Sequence, residues 1–402
     1  MKALITGITG FVGSRLARAL VDRGDEVYGF ARKRADLSIP KRLIEQGIVG
    51  KIKLLDGDLT DLTSLISAIH RSEPDVVFHL GAQSYVPRSF TDPIETFRVN
   101  GTGTYNLLEA IRLKGANPKI VFAGSSEEYG LQIAHEKHLE LCQLDARYVF
   151  PEPERVPELP INEKNFLRPL SPYAVSKIYG DHLMRNYHSV YGLRTVVSRG
   201  FNHEGAGRGD HFVTSIITRQ GVALSSGEQD HIDIGNVNAF RDWSHVEDIV
   251  KGYLLLAERG RDGDVYVQGS KRSNSVLTYI MWTLETLGYE LGTLRTGTKL
   301  RYGEPSAPAP DPWYGIEFEK THMDNLLLGG RLEFTPADKG LIFETNKGDV
   351  KINVDPSRFR PADVPVLFSD TSKIEKIGFK VEHGVKDIIW EQINYYLNPD
   401  NR

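Results

Sequence analysis

Tyr173 and Lys177 stand four residues apart in Tyr173-Ala-Val-Ser-Lys177, a stretch with helical character. That spacing puts both side chains on one helix face. An ammonium beside a phenol lowers the phenol pKa, so Tyr173 can act as a base near neutral pH. Lys177 can also hold the ribose of a nicotinamide nucleotide. Such a pair also arises by accident on helix surfaces; here a second segment gives it weight. Ala123-Gly-Ser-Ser-Glu-Glu-Tyr-Gly130 follows an expected strand and carries Ser125 and Glu127. Ser125 can donate to a hydroxyl or carbonyl oxygen. Glu127 can remove a carbon-bound proton beside a ketone and then protonate a departing hydroxyl. The competing reading of Glu127 is a cap on the following turn. Glu128 is the register competitor and is expected to point away.

Both segments lie downstream of Gly7-Ile-Thr9-Gly10-Phe11-Val12-Gly13, a GxxGxxG run between a strand and a helix. Gly7 permits a tight turn, Gly10 lets the backbone approach a pyrophosphate, and Gly13 permits close helix packing. The helix N-terminus offers unpaired N–H groups to the anion. A ligand-free glycine turn would read the same way in the absence of the strand–turn–helix context. The second strand ends in Phe30-Ala31-Arg32-Lys33-Arg34, with three cations and no carboxylate at its end. Arg32 and a neighbour can pair with a 2′-phosphate, which favours NADP over NAD. A solvated basic loop is the plainer reading, and Asp36 would reach the ribose if the strand end were shifted. Asp58-Leu59 follows the third strand, where a carboxylate reaches an adenine amino group or merely closes a turn.

The elements that must position these groups alternate. Strands are expected at Ala3–Thr6, Glu26–Phe30, Lys51–Leu55, Val76–Leu80 and Lys119–Ala123. Helices are expected at Gly13–Arg23, Leu62–His70 and Thr102–Lys114. This is the βαβ pattern of an α/β, doubly wound parallel sheet. Residues 131–168, rich in proline and glutamate between Phe150 and Pro160, read as an irregular insertion or lid. Periodicity returns with a helix over Pro172–Tyr191, a strand at Thr195–Ser198, helices at Phe212–Gln220 and Val246–Glu258, and a strand at Val265–Gln268. The stretch of about 295–349 is too long for a loop and reads as an added subdomain. Thr371–Leu397 carries one short and one longer helical pattern.

With 402 residues, 40% hydrophobic and 25% charged, the chain has material for a substantial core and room for one to three domains. A net charge of −4 argues against nucleic acid as the main partner. The lone Cys142 excludes an internal disulfide framework and a cysteine-rich zinc site, and suits a reducing, cytoplasmic setting. No apolar run of about 20 residues is present, so no membrane span is expected. A strand beginning almost at Met1 leaves no room for a signal peptide.

Taken together, these stretches resemble the extended short-chain dehydrogenase/reductase superfamily, and within it the GDP-mannose 4,6-dehydratases. The resemblance rests on Gly7–Gly13, His79-Leu80-Gly-Ala82-Gln-Ser84, Ser125–Gly130 and Ser171–Lys177. It continues through Phe201-Asn-His-Glu204, Arg208-Gly-Asp-His-Phe-Val213, Gly235–Trp243, Val354–Val364 and Ser369–Lys373. It covers about 1–130, 169–270 and 351–400, and leaves 131–168 and 295–349 longer than the family pattern. The resemblance implies a Rossmann domain over 1–198 and a smaller, mixed nucleotide-sugar lobe over 199–402, with some later segments returning to the first. It implies tightly held NADP(H) and homo-oligomers, either dimer or tetramer. The family's threonine, glutamate, tyrosine and lysine fall on Ser125, Glu127, Tyr173 and Lys177. Serine for threonine is a departure that keeps the hydroxyl. Leu80 and Ala82 join the cofactor residues. Ser84, Asn202, Arg241 and Arg358 are the nucleotide-sugar candidates, the arginines suiting a diphosphate or a guanine edge. Arg241 can instead pair with Asp242 or Asp248, and Arg358 can be plain surface. His203 reads as a packed histidine rather than a metal ligand, and no metal spacing is present.

The implied reaction is 4,6-dehydration of GDP-mannose or a close analogue. Tyr173 takes the C4 hydroxyl proton as hydride leaves C4. Glu127 then removes the C5 proton, water leaves from C6, and hydride returns to C6. A 4-keto-6-deoxy-sugar reductase, a nucleotide-sugar epimerase and a non-enzymatic NADP-binding sensor are the alternatives. The phenylalanine–valine run after Arg208 favours the dehydratase.

Overall fold

The computed structural model describes all residues except 34, 35, 37, 145–148, 299 and 360–362. Arg34 of the basic run and the centre of the Arg358–Val364 segment therefore lie outside the described residues.

Short runs of mostly buried residues, with the edge strand Lys53–Asp56 burying only Leu55, form a seven-stranded sheet. Its strands are β1 (Lys2–Thr6), β2 (Glu26–Ala31), β3 (Lys53–Asp56), β4 (Val76–His79), β5 (Lys119–Ala123), β6 (Arg194–Gly200) and β7 (Asp264–Gln268). They lie in the order β7-β6-β5-β4-β1-β2-β3, and every neighbouring pair is parallel. Both faces are covered, as an all-parallel sheet requires. Helices Phe11–Asp22 and Val246–Arg259 pack Leu16, Leu20, Ile249 and Leu256 on one face. Helices Leu62–Ser72, Gly103–Leu113 and Pro172–Tyr191 pack Leu65, Leu107, Ile111 and Met184 on the other. The strand order reverses at β1, which has β2 on one side and β4 on the other. A crevice opens beyond the carboxyl ends of these strands, where sheets of this kind bind ligands.

Between β1 and β4, His79 is fully buried and bridges two hydroxyls, Thr6 Oγ1 at 2.7 Å and Thr104 Oγ1 at 2.9 Å. Burial, with the Lys177 charge adding to it, drives its pKa down to about 3. Burial and the Arg208 charge take His203 down to about 4. A histidine whose folded pKa lies below its unfolded value of about 6.5 contributes stability above that value and loses it as pH falls towards the folded pKa. Denaturant titrations should therefore show stability falling by up to about 1.4 kcal/mol per pH unit for each histidine below pH ~6.5. A His79→Gln variant should lose visibly less between pH 6.5 and 5. An equal pH slope in both proteins would exclude His79 as a source of the acid sensitivity.

The second lobe is built on a five-stranded mixed sheet. Arg301–Gly303, Leu291–Thr296, Leu341–Thr345 and Val350–Val354 run antiparallel to their neighbours, and Val350–Val354 then pairs in parallel with His231–Ile234. Residues 295–349, expected as an added subdomain, thus supply strands to this lobe's own sheet, along with the helix His322–Leu328. Asp324 pins that helix: its fully buried carboxylate accepts from Ser275 N at 2.9 Å, Thr278 Oγ1 at 2.8 Å and Thr321 N at 3.1 Å.

Helix Val276–Thr286 in the same lobe has no counterpart among the sequence expectations. Residues Val276 through Leu284 are all buried, so it has no polar face and no amphipathic period. The 131–168 segment, expected to be irregular, contains the helix Glu136–Leu144. It is tied back by Arg168, whose guanidinium makes a two-pronged pair with buried Glu158 at 2.7 and 2.8 Å. Among the described residues no helix is long and apolar enough to cross a membrane, and no cluster of three metal-binding side chains occurs.

Candidate active site

A cleft of about 590 Å³ opens over the crevice at the carboxyl ends of β1 and β4. One wall is the glycine turn. Gly7 has φ +75°, and a Cβ there would lie 2.8 Å from Gly81 N. A Cβ on Gly13 would lie 2.2 Å from Gly7 O, a backbone atom that cannot move aside. Helix Phe11–Asp22 starts at Gly10 with no side chain capping its N–H groups. A bare, positively polarised helix end over a backbone cradle fits the diphosphate of a dinucleotide. Gly13→Ala should cost about 1–3 kcal/mol of stability. It should also abolish measurable NADP binding, read by thermal melting and calorimetric titration; binding at wild-type affinity would show that the cradle is not used.

Thr9, Gly10, Phe11, Val12, Leu80, Ala82 and Ser84 line the same cleft, with Gly7 and Gly13. Arg32 and the Asp58-Leu59 pair border it at the ends of β2 and β3. Asp58 closes its turn: its carboxylate accepts from Thr60 N and Oγ1, both at 2.8 Å, which also holds its pKa down. Asp36 is turned to a local contact, accepting from Ser38 N at 3.0 Å, and does not line the cleft. Arg32 is exposed at the rim of the cleft.

The catalytic candidates meet at the far end. After β5 the chain enters a single 3₁₀ turn, Ser126–Glu128, capped reciprocally by Ser125 and Glu128. Glu128 Oε1 accepts from Ser125 N at 2.7 Å, and Ser125 Oγ accepts from Glu127 N at 3.2 Å. The cap is therefore Glu128, not Glu127. Glu128 is fully buried beside Arg199 at 3.4 Å. Burial and the nearby Asp181 carboxylate push its pKa up to about 8, against the pull of Arg199. Glu127, one position earlier, lines the cleft with Ser125, Tyr173 and Lys177.

Helix Pro172–Tyr191 delivers the last two. Ser171 caps it, accepting from Ala174 N at 3.1 Å, and Pro172 occupies the first turn, where a missing N–H costs nothing. Tyr173 and Lys177 follow one turn apart, both buried. The expected electrostatic relation between them is not found. Lys177 Nζ is drawn to the Ala123 carbonyl at 2.7 Å and lies 5.9 Å from the centre of the Tyr173 ring. Burial lowers its own pKa to about 8. Tyr173 is pushed above the usual phenol range, not below it, because burial dominates and Glu127 and Glu128 add to it. The Ser125 hydroxyl and the Arg208 charge act in the opposite direction.

Of the nucleotide-sugar candidates, Ser84 and Asn202 line the cleft, and Arg241 and Arg358 do not. Arg241 is buried and held by the Val364 carbonyl at 2.7 Å, the Phe240 carbonyl at 2.8 Å and Asp363 at 2.8 Å, so it acts as a structural tie with a partner other than Asp242 or Asp248. Arg358 sits on the surface of the second lobe, donating to the Asp233 carbonyl at 3.0 Å beside Asp355. His203 donates through Nδ1 to the Phe201 carbonyl at 2.9 Å, and it too borders the cleft. Tyr85, Arg208, Phe212 and Tyr253 also line it and were not singled out from the sequence. Arg208 and Phe212 fall within a stretch that carried the resemblance. Tyr253 reads as an ordinary core position on an amphipathic helix.

A glycine cradle at the strand-order reversal, with Ser, Tyr and Lys side chains meeting at its far end, is the arrangement of an extended short-chain dehydrogenase/reductase. The profile of the NAD dependent epimerase/dehydratase family matches residues 3–269. The GDP-mannose 4,6-dehydratase of Vibrio cholerae serotype O1 (strain ATCC 39315 / El Tor Inaba N16961) is 33% identical over 401 residues, covering 97% of this chain and 92% of that one. The enzyme of that name from Sinorhizobium fredii (strain HH103) is 30% identical over 403 residues, covering 98% and 96%. The chain belongs to the NAD dependent epimerase/dehydratase family and groups there with the GDP-mannose 4,6-dehydratases. Solved structures share its fold. RMD from Pseudomonas aeruginosa, complexed with NADPH, superposes with a TM-score of 0.64 at 22% identity, covering 98% of this chain and 99% of that one. UDP-glucose 4-epimerase from Bifidobacterium longum, in complex with NAD+ and UDP, gives 0.68 at 20% identity, covering 100% of both. At the level of the family, the chain is an NAD(P)-dependent enzyme that modifies nucleotide sugars.

Proposed function

We propose that the protein is an NADP-dependent 4,6-dehydratase acting on GDP-mannose or a close analogue. The observation that carries this reading is Glu127, which borders the cleft with Ser125, Tyr173 and Lys177 while Glu128 takes the capping role. Oxidation at one hydroxyl needs no carboxylate; elimination needs a group that removes one proton and returns another. NADP, when bound, supplies reversible hydride exchange with the sugar, from C4 and back to C6, so the reaction has no net redox change. The chain's own part is proton handling and positioning. Tyr173 accepts the C4 hydroxyl proton, with Ser125 donating to the C4 oxygen as charge develops there. Glu127 takes the C5 proton, which the C4 ketone has made acidic, and passes it to the departing C6 hydroxyl; the proton that Tyr173 took from the C4 hydroxyl then replaces it at C5, which restores both residues. Lys177 orients the ribose next to Tyr173, and Arg32 meets the 2′-phosphate. In this reading residues 1–198 hold the cofactor, 199–402 hold most of the nucleotide sugar, and the working unit is a homodimer or homotetramer.

The test is incubation of the purified protein with GDP-mannose and no added reductant. The expected result is a 4-keto-6-deoxy product with no net consumption of NADPH. Stoichiometric NADPH loss on a 4-keto-6-deoxy substrate would establish a reductase instead, and C4 inversion without loss of water an epimerase. Light scattering reads the oligomer directly.

A further inference from the structure

The segments 131–168 and 295–349, which the resemblance leaves uncovered, bring no described residue to the catalytic cleft. They meet elsewhere. Between them a second groove of about 570 Å³ opens, lined on one side by residues 134–137 and on the other by residues within 311–331. It shares no described residue with the cleft. Two contacts bridge it. Tyr314 Oη donates to the Ala134 carbonyl at 3.4 Å, and Lys137 Nζ donates to the Gly330 carbonyl at 3.2 Å.

The aromatic wall of the groove is built under strain. Trp313 N donates to Ile316 O at 3.0 Å and Ile316 N donates to Trp313 O at 2.8 Å, which encloses a two-residue turn. Both turn residues have positive φ, Tyr314 at +51° and Gly315 at +79°, as in a type I′ hairpin turn. Asparagine, aspartate or glycine adopts the first of these positions readily; tyrosine does not. The strained position holds a phenol ring at the tip of the turn, 38% exposed and backed by Phe368 with ring centres 6.0 Å apart. Beside it, Trp313 is buried in edge contacts with Phe240 and Phe318. Residues held against their backbone preference cluster at ligand clamps.

Donors and acceptors stand in balance around these rings. His135 Nδ1 accepts from His138 N at 3.1 Å, and burial with the Lys137 charge holds the ring below the usual imidazole range, so Nε2 carries the N–H of a neutral ring. Asn325 Oδ1 accepts from Trp313 Nε1 at 2.6 Å, which leaves the amide N–H groups to donate. Arg331 is exposed on the rim, as are Asp311 and Glu136. The two carboxylates offset Lys137 and Arg331, so the groove favours neither an anion nor a cation. An aromatic face ringed by mixed donors and acceptors matches a pyranose, whose C–H face packs on the ring and whose hydroxyls both donate and accept.

We propose that this groove binds a neutral pyranose unit, at a site separate from the catalytic cleft. The unit is a free sugar or the end of a glycan chain, two sources of one chemistry. The proposal does not depend on the nucleotide-sugar reading.

Saturation-transfer NMR and calorimetry on the full chain test it, with methyl α-mannopyranoside, methyl α-glucopyranoside and maltotetraose as probes. At least one should bind with a Kd of about 1 mM, the strength open to a ligand of that size. Saturating GDP and NADP+ should not displace it. Maltotetraose binding more tightly than the methyl glucoside would assign the groove to a glycan end, and equal affinity to a free sugar. Tyr314→Asn should weaken binding at least about tenfold, yet melt at the wild-type temperature or about 1–2 °C above it, because asparagine relieves the turn. Arg331→Ala, an exposed change, should weaken binding about 3- to 10-fold. Absence of binding to the wild type at about 50 mM probe overturns the proposal. So does displacement by GDP, which would move the sugar to the cleft, or wild-type affinity in both variants. A melting temperature several degrees lower in Tyr314→Asn would make Tyr314 a packing residue and overturn it as well.

Discussion

Glu127→Gln is expected to lower turnover of GDP-mannose by about a thousandfold, within the range that general acid–base groups contribute. The amide keeps the size of the side chain and removes the base. The fold should tolerate the change, because the local turn is held by Ser125 Oγ on the backbone of Glu127 and by the carboxylate of Glu128 on Ser125 N. Nothing in the glycine cradle touches the substitution, so NADP and GDP should bind as before. The informative readout is a single turnover. With the base missing, the C4 ketone should form and persist, seen as a lasting nicotinamide reduction signal with no release of water. A variant that eliminates water at the wild-type rate would remove Glu127 from the mechanism. Glu128→Gln, by contrast, should act through stability, since that carboxylate is fully buried beside Arg199.

Tyr173→Phe should reduce turnover by a comparable factor, about 10²–10⁴, by removing the group that accepts the C4 hydroxyl proton. Its pH behaviour carries the sharper test. Burial and two carboxylates hold the phenol proton above the usual range, so the base form is scarce at neutral pH. Wild-type kcat/KM should therefore climb as pH rises through neutrality. Lys177 titrates in the opposite sense: burial brings it down to about 8, and its positive charge disappears as pH passes that value. The rise should level off and turn down above pH ~8 as the cation that orients the ribose is lost. Tyr173→Phe should keep its affinity for NADP while its residual rate loses the alkaline rise. A variant with the wild-type profile at reduced amplitude would show that another group sets the profile.

Most of the sheet could be read from local pattern, because a strand buried on both faces needs an unbroken apolar run and Val76–His79 or Lys119–Ala123 contains little else. Helix ends were harder. Phe11–Asp22 begins two residues before the expected Gly13, with Gly10 as its N-cap. Helix Val276–Thr286 was invisible to periodicity because every position from Val276 to Leu284 is buried, which leaves no polar face to alternate with an apolar one. In the site, the glycine cradle and the Ser125, Glu127, Tyr173 and Lys177 set could be picked out because each lies within a few residues of a strand end or a helix start, where backbone geometry aims the side chain.

What could not be read were the long-range partners. Arg241 and Arg358 had the right charge and stood in suggestive stretches, but whether an arginine faces a ligand depends on which carbonyls and carboxylates reach it first. Asp363 and Val364 reach Arg241 from a segment more than a hundred residues away. Which of Glu127 and Glu128 caps the turn was a question of one-residue register, and the reciprocal cap falls to Glu128. The sense of the Tyr173 shift depended on how deeply the phenol is buried and where Lys177 finds a carbonyl. The amino-acid order alone thus determined the chemistry available, since side-chain identity and short spacings are local properties. The tertiary structure decided which of those groups face the cleft and in what charge state, because burial and competition for partners are set only when distant segments pack.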